Sequence, residues 1–394
     1  KYKYYIKDKT EDLTTAIEKE YQARLNGYTS QKTLLFPLLN YRDGTQTSKY
    51  PIFYLPLPKI QNLADQFRRN SNEIKTISLS LPQVAINQFL NSLLLSEIFY
   101  TNDIEGVKTS RVEISTVIQE NNQQTNGNDH ISEKRLGSTI KMYQRTQSGK
   151  KVEIKVLQDF REIYDSLLKG ELDNSRLPNG KTFRDELPNG EVLSIGDGIK
   201  TVHRPPITEG AIQTALTALI EYMNNDDTPS IYKALVTHFF FENTHPFLDG
   251  NGRMGRYLLS SYIANKFDRF TGFSVATAIH NNVQQYYKVF KDADNAENRA
   301  DLTFFIQKLL TILVTQQEKV INILSQSRDD LDNAKQIIQN WVNNYHQLLV
   351  NTSLPDKIYC DILYLLAQSK LFTNQLSLGI KDNDIIEGLK NSEQ

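Results

Sequence analysis

The twelve residues His245-Pro246-Phe247-Leu248-Asp249-Gly250-Asn251-Gly252-Arg253-Met254-Gly255-Arg256 constrain the fold more than any other stretch of this chain. Asp249 to Gly252 has the composition of a turn, and the run from Met254 to Ala264 reads as a helix, so a loop here must enter a helix N-terminus. Unpaired N–H groups and the helix macrodipole favour an anion at such a place. Gly250 and Gly252 let the main chain turn and approach a ligand without a Cβ in the way. Arg253 and Arg256, three apart, sit on neighbouring positions of one helix face, where both can fork onto phosphate oxygens. The string therefore predicts a phosphate-handling site with a titratable base, His245, at its start.

The whole string resembles the signature of the Fic (filamentation induced by cAMP) family and matches it at every defined position. The resemblance implies a mainly α fold: a Fic-type helical core with a small β-hairpin flap, plus N-terminal and C-terminal appendages. It implies transfer of AMP from Mg²⁺-ATP onto a Ser, Thr or Tyr hydroxyl of a protein. By that likeness His245 is the general base, Asp249 is the Mg²⁺ ligand, and Asn251 with Gly250 and Gly252 forms the anion hole. Arg253 grips phosphate and Arg256 reaches the γ-phosphate, with Met254 and Gly255 completing the ATP-binding turn. Elementary chemistry asks for the same residue types. In-line transfer of a nucleotidyl group needs positioning and charge neutralisation, an imidazole titrates near about 6.5, and Mg²⁺ is content with one carboxylate and several phosphate or water oxygens.

Upstream, Leu93 to Gly106 reads as an apolar helix ending at a glycine. Thr101, Glu105 and Gly106 fit the Ser/Thr-X-X-X-Glu-Gly/Asn inhibitory motif of Fic proteins, which alone is a weak pattern. Tyr54 to Pro58 resembles the lead-in of family members whose inhibitory helix is N-terminal. The resemblance implies that Glu105 pairs with Arg256 and denies it to the γ-phosphate. Lys181 to Gly198 carries turn signals around short β-like runs and reads as a hairpin. Its place before His203 resembles the Fic flap, which would set Ser194, Ile195 and Gly196 over the nucleotide. Arg184-Asp185 stands where the family more often has an Arg-Thr pair. Further on, Tyr286, Tyr287 and Asp294 resemble the adenine contacts, although Tyr286, Tyr287 and Phe290 stand equally well as the core stripe of an amphipathic helix. Gly180-Lys181-Thr182 is not a Walker A loop, because Ser175 occupies the place of its first glycine.

Composition excludes more than it assigns. With 45 basic and 46 acidic residues the net charge is −1, so no global field favours nucleic acid or an anionic membrane. A single cysteine, Cys360, rules out an intrachain disulfide and reads as a small core residue. No apolar run is long enough to span a bilayer and no secretory leader is seen, which suggests a cytoplasmic protein. The partners expected are ATP, a protein hydroxyl that could be the chain's own, and a second copy in a homodimer. The six histidines lack zinc spacing. The expected division is an N-terminal region with the inhibitory helix at 1–145, a catalytic domain at 146–312 and a C-terminal helical region at 313–394. Helices are expected at 12–25, 151–168, 209–223, 230–243, 252–266, 278–292 and from 302 to about 350, with a Gln/Asn-rich loop at 119–129. The acidic tail, with Lys381 and Lys390 against Asp382, Asp384, Glu387 and Glu393, is a poor major-groove reader. A different nucleotide, phosphoryl transfer, AMP removal, or a non-catalytic regulatory role on the same fold are the alternatives.

Overall fold

The computed structural model describes residues 12–123, 135–187, 190–191, 193–196, 201–225, 227–349, 355–373, 378–380, 385–386 and 388–390. Helix α1 (Leu13–Leu25) starts where Asp12 accepts the Thr15 N–H, an N-cap visible in the sequence. Four two-residue strands follow: β1 (Gln31–Lys32), β2 (Leu39–Asn40), β3 (Gln46–Thr47) and β4 (Phe53–Tyr54). They pair antiparallel as β1 with β4 and β2 with β3, around a tight turn at Gly44. Then come α2 (Pro58–Leu79), opened by proline at its first position, and α3 (Gln83–Ile104).

The end of α3 has a physical cause written in the sequence. Gly106 takes φ +70°, the Val107 N–H reaches back to the Asn102 carbonyl at 2.9 Å and the Gly106 N–H to Asp103 at 3.0 Å. That is the two-bond closure of a Schellman motif, which needs a left-handed residue at this point. It leaves Glu105 as the last residue before the chain turns away.

Helices α4 (Arg111–Gln123), α5 (Gly137–Gln147) and α6 (Leu157–Leu167) come next. Helix α4 continues through 123, so residues 119–123 of the expected loop are helical, and residues 124–134 lie outside the described residues. Residues 181–187 carry no strand, and the hairpin expected over 181–198 lies further along the chain: β5 (Ile195–Gly196) pairs antiparallel with β6 (Thr201–His203), with an irregularity at Ile195/Gly196. Its tip, 197–200, lies outside the described residues. Beyond it run α7 (Glu209–Asn224), α8 (Ser230–Thr244), α9 (Asn251–Lys266), the short α10 (Arg269–Gly272), α11 (Val275–His280), α12 (Val283–Ala293), α13 (Thr303–Leu349) and α14 (Asp356–Leu371). The helix expected over 278–292 is broken in two at Asn281-Asn282, where amide side chains compete for backbone groups.

Helix α9 lies at the centre, with α8, α10, α11, α5 and α3 packed around it. Phe239, Met254, Tyr257 and Ile263 are fully buried there. Helix α13 runs along α2, and α14 packs on α13 and α3, with Phe372 edge-on to Phe89. The part of the C-terminal tail that is described is thus attached by packing. Among the described residues no helix is long and apolar enough to cross a membrane.

Candidate functional site

The α8–α9 loop is held in shape by its own residues. His245 sits just past the last turn of α8 at φ 48°, and Gly250 opens α9 at φ 80°. A Cβ on Gly250 would also collide with Leu168, so glycine is demanded twice at this position. Phe247 is buried and stacks on Tyr164 at 3.7 Å between ring centroids, pinning the middle of the loop to α6. Asn251, 1% exposed, closes the loop on itself: its Oδ1 accepts the Phe247 N–H at 2.9 Å and its Nδ2 donates to the Phe247 carbonyl at 2.8 Å. The side-chain amide expected to meet an anion is therefore committed to bracing the turn. What Asn251 can offer a ligand is its backbone N–H. Met254 N–H closes the first turn onto the Gly250 carbonyl, so the N–H groups of Asn251, Gly252 and Arg253 precede the helical ladder. That is an anion-ready terminus.

His245 is half-buried, and its Nδ1 is buried with no partner among the described residues. Burial first, then the neighbouring Arg184 and His203, hold its pKa well below the ordinary imidazole range, so the ring is neutral at pH 7. Arg184, whose neighbour Asp185 is the departure from the family's Arg-Thr pair, is 2% exposed and holds the loop. Its Nε donates to the His245 carbonyl at 2.7 Å and its backbone N–H to Pro246 at 3.0 Å. Burial lowers its guanidinium to about 10. The segment carrying it is tied to α7 in turn: Glu209 accepts the N–H groups of Lys181, Thr182 and Phe183, and Asp185 accepts that of Glu209. Behind the loop lies Glu242, three residues before His245, whose Oε1 is buried with no partner among the described residues. Burial pushes it up to about 8 despite the opposing pull of Arg256.

The two arginines are both engaged. Arg256, 1% exposed, donates from Nε to Thr101 Oγ1 at 2.8 Å, and from Nη2 to the Thr101 carbonyl at 3.0 Å and to Glu105 Oε1 at 2.7 Å. Burial would lower its pKa, but Glu105, Tyr286 and Glu242 together raise it. Thr101 and Glu105, one turn apart, thus face Arg256 as a pair. A Cβ at Gly252 would collide with Glu105 Oε1, so the absence of a side chain at that position is what admits Glu105 to the first turn of α9. Arg253 pairs at 2.9 Å with Glu171, whose other oxygen accepts Thr139 Oγ1 at 2.6 Å. Its Nε is buried with no partner among the described residues. Nothing local in the sequence pointed to Glu171, since it lies 82 residues before Arg253.

Asp249 is the one acid of the loop. Its Oδ1 accepts the Gly250 N–H at 2.5 Å and its partly exposed Oδ2 meets Arg176 Nη1 at 3.0 Å. Among the described residues no group of three His, Cys, Asp or Glu side chains could hold a metal alone. A cation here would take one oxygen from Asp249 and the rest from water and a phosphate ligand, a donor set that suits Mg²⁺.

The expected adenine contacts do not gather as a group. Tyr287 is 51% exposed, and its hydroxyl donates to the Ile104 carbonyl at 3.3 Å. Tyr286 is buried, with its hydroxyl on His238 Nε2 at 2.9 Å, so the core-stripe reading describes it. Asp294 is 5% exposed and accepts from Asn243 Nδ2 at 2.8 Å. In the interior, its Oδ1 takes the Asn243 amide and stands 3.9 Å from His203 Nδ1. Ile195 and Gly196 form the flap strand β5, and Ser194 immediately precedes it. Cys360 is half-buried on α14 rather than in the core, and burial with Asp361 and Asp356 raises its thiol, the opposite of activation.

Residues 154–263 match the Fic/DOC family. A probable protein adenylyltransferase of Aquifex aeolicus (strain VF5) is 23% identical over 213 residues, a match that spans 54% of this chain and 58% of that relative. A Fic family protein from Desulfovibrio desulfuricans G20 has a similar structure, with TM-score 0.50 at 20% identity over 67% of this chain and 74% of that one. Fic-1 from C. elegans gives TM-score 0.42 at 17% identity over 68% of this chain and 73% of that one. The loop, helix α8, all but the last three residues of α9 and the signature fall in the matched region, and residues 154–263 are a Fic/DOC-family domain.

Proposed function

We propose that the chain is a protein adenylyltransferase, moving AMP from ATP to a Ser, Thr or Tyr hydroxyl, and that Glu105 restrains it. The observation that carries this reading is the single loop in which a neutral imidazole, an open helix N-terminus and one partly exposed carboxylate are held within seven residues. The relative named as an adenylyltransferase supports the same reaction. In the transfer, the target hydroxyl oxygen bonds to the α-phosphorus while the bond to the β-phosphate oxygen breaks. The hydroxyl proton passes to His245, and pyrophosphate leaves. A neutral base is required for that step, and His245 has the environment to stay neutral. The N–H groups at the start of α9 face the phosphates, and Asp249 would hold Mg²⁺, which supplies positive charge against the departing pyrophosphate.

Restraint by Glu105 is a competition of one carboxylate and one phosphate for the same guanidinium. Arg256 is buried and hydrogen-bonded by Thr101 of α3 and by Glu105 just past its end, so this is a charge-assisted contact with the guanidinium out of water and the carboxylate partly exposed. A coupling of roughly 1–3 kcal/mol changes activity by about 5- to 150-fold. The test is incubation of wild type, Glu105→Gly and Glu105→Gly/His245→Ala with labelled ATP and a bait protein, with products weighed by intact-protein mass spectrometry. An AMP adduct is expected to grow at least about fivefold faster with Glu105→Gly, and to vanish in the double variant. Equal rates for wild type and Glu105→Gly would remove the restraint, and an adduct persisting without His245 would remove the base.

A further inference from the structure

The N-terminal segment reaches the back of the site. Leu38 forms two hydrogen bonds with the Asn243 side chain, its N–H to Oδ1 at 3.0 Å and its carbonyl from Nδ2 at 2.9 Å. Next to it the Asn40 N–H donates to the Asp294 carbonyl at 2.9 Å. The Asn40 side chain then meets the ring of His203, the last residue of flap strand β6, at 3.0 Å from Nδ2 to Nδ1. Gln46, across the β2–β3 hairpin, donates from Nε2 to Asn40 Oδ1 at 2.9 Å and to the Arg204 carbonyl at 2.7 Å. His203 Nε2 closes the circuit on the Asn243 carbonyl at 2.7 Å, two residues before His245.

The direction of each proton follows from these contacts. Gln46 occupies the Asn40 oxygen, so Asn40 must offer its NH₂ to His203. His203 Nδ1 is then an acceptor, and its N–H lies on Nε2, the only arrangement that also donates to the Asn243 carbonyl. His203 is 3% exposed, which makes an unmatched ring nitrogen costly.

We infer that Asn40 and Gln46 form a positioning clamp for the flap, fixing the His203 ring and the Arg204 carbonyl and so setting strand β6 against the α8 turn that bears His245. The occupant served by that geometry is an extended segment of the protein target lying along the flap. This rests on the adenylyltransferase reading for its consequence, but the clamp itself can be measured without turnover. Neither residue touches the reacting atoms, so both are positioning residues. The clamp predicts a selective effect: the target is held less well while the chemistry, once the target is in place, is unaltered.

Three measurements on the full chain test it, using Asn40→Leu, which removes the donor to His203, and Gln46→Ala, an exposed position where folding is not at stake. Nitrogen-15 spectra of labelled histidine are expected to show His203 as the Nε2–H tautomer in wild type and as a mixture in Asn40→Leu. Amide hydrogen exchange at residues 201–203 is expected to rise about tenfold in both variants, with α8 and α9 unchanged. In a Glu105→Gly background, KM for a protein target is expected to rise about fivefold with kcat within about twofold. Unchanged exchange in both variants, or a wild-type His203 protonated on Nδ1, would overturn the clamp even if the chain adenylylates. A fall in kcat at constant KM would overturn it by showing a merely structural role. A wild type that transfers nothing, with the exchange and tautomer results as expected, would retain the clamp and discard the reaction.

Discussion

At the residue scale the site is governed by what each polar atom is already bonded to. Asn251 is bonded at both ends to Phe247, Arg253 to Glu171, and Arg256 to Thr101 and Glu105, while His245 keeps a nitrogen with no partner among the described residues. The residue types were legible, since the string from His245 to Arg256 names the chemistry outright. Apart from the Thr101/Glu105 pair, their partners were not, because Glu171 and Arg184 come from 82 and 61 residues away and no local spacing marks them. The depressed pKa of His245 gives a prediction at this scale. A solvated imidazole base would lose activity about tenfold per pH unit below about 6.5. Here burial keeps the ring unprotonated well below that point, so kcat of the Glu105→Gly protein is expected to stay flat from pH 8 down to about 5.5. A pH–rate profile with a midpoint near 6.5 would show the ring to be solvated in the working enzyme.

At the element scale, α9 is the piece against which the others are fitted, and its glycines record how closely. Gly255 lets Glu242 and Phe241 of α8 approach: a Cβ would collide with Glu242 Oε1 and come within 3.3 Å of the Phe241 ring. Helix propensity alone would favour alanine by about 1 kcal/mol. Overpacking against buried neighbours opposes it and is the larger effect, so Gly255→Ala is expected to cost about 1–3 kcal/mol in urea unfolding. Gly210 of α7 is the control, because nothing lies within 4 Å of its would-be Cβ. Gly210→Ala should be neutral or gain up to about 1 kcal/mol. Equal effects at the two positions would mean that α8 and α9 can part at no cost. Helix existence was readable from periodicity for α1, α7, α8, α9 and α13, and the end of α3 from Gly106. The break at Asn281-Asn282 was missed, since three-and-four spacing continues across it and the competition of amide side chains with the backbone leaves no periodic trace.

At the scale of the whole molecule, burial of ionisable groups sets how stability follows pH. His238, 2% exposed, is pushed down to about 3 by burial and then by Arg256. An unfolded imidazole binds its proton near about 6.5, so below that pH the unfolded chain holds a proton the folded one refuses, and stability falls as pH falls. The loss is about 1.4 kcal/mol per unit, or about 2 kcal/mol by pH 5. Glu97 and Glu242, pushed up to about 7 and about 8 by burial, act oppositely. Their folded forms hold protons the unfolded chain has released, so stability falls as pH rises from about 4.5 toward those values. Replacing His238 by glutamine removes one acid-sensitive group. Any Tm deficit of His238→Gln relative to wild type at pH 7.5 is expected to shrink at pH 5, and a deficit that grew instead would show that His238 is charged in the fold.

The sequence by itself determined the signature loop, its Fic/DOC likeness and the helix that brings Glu105 to its end, because each is written within one turn or one amphipathic period. Tertiary structure decided the rest: that Asn251 braces rather than binds, that Asp294 faces inward, that Glu171 holds Arg253, and that an N-terminal hairpin stands behind the flap. Those outcomes turn on which buried polar atom finds which partner, and desolvation enforces that pairing across hundreds of residues without leaving a mark on local sequence.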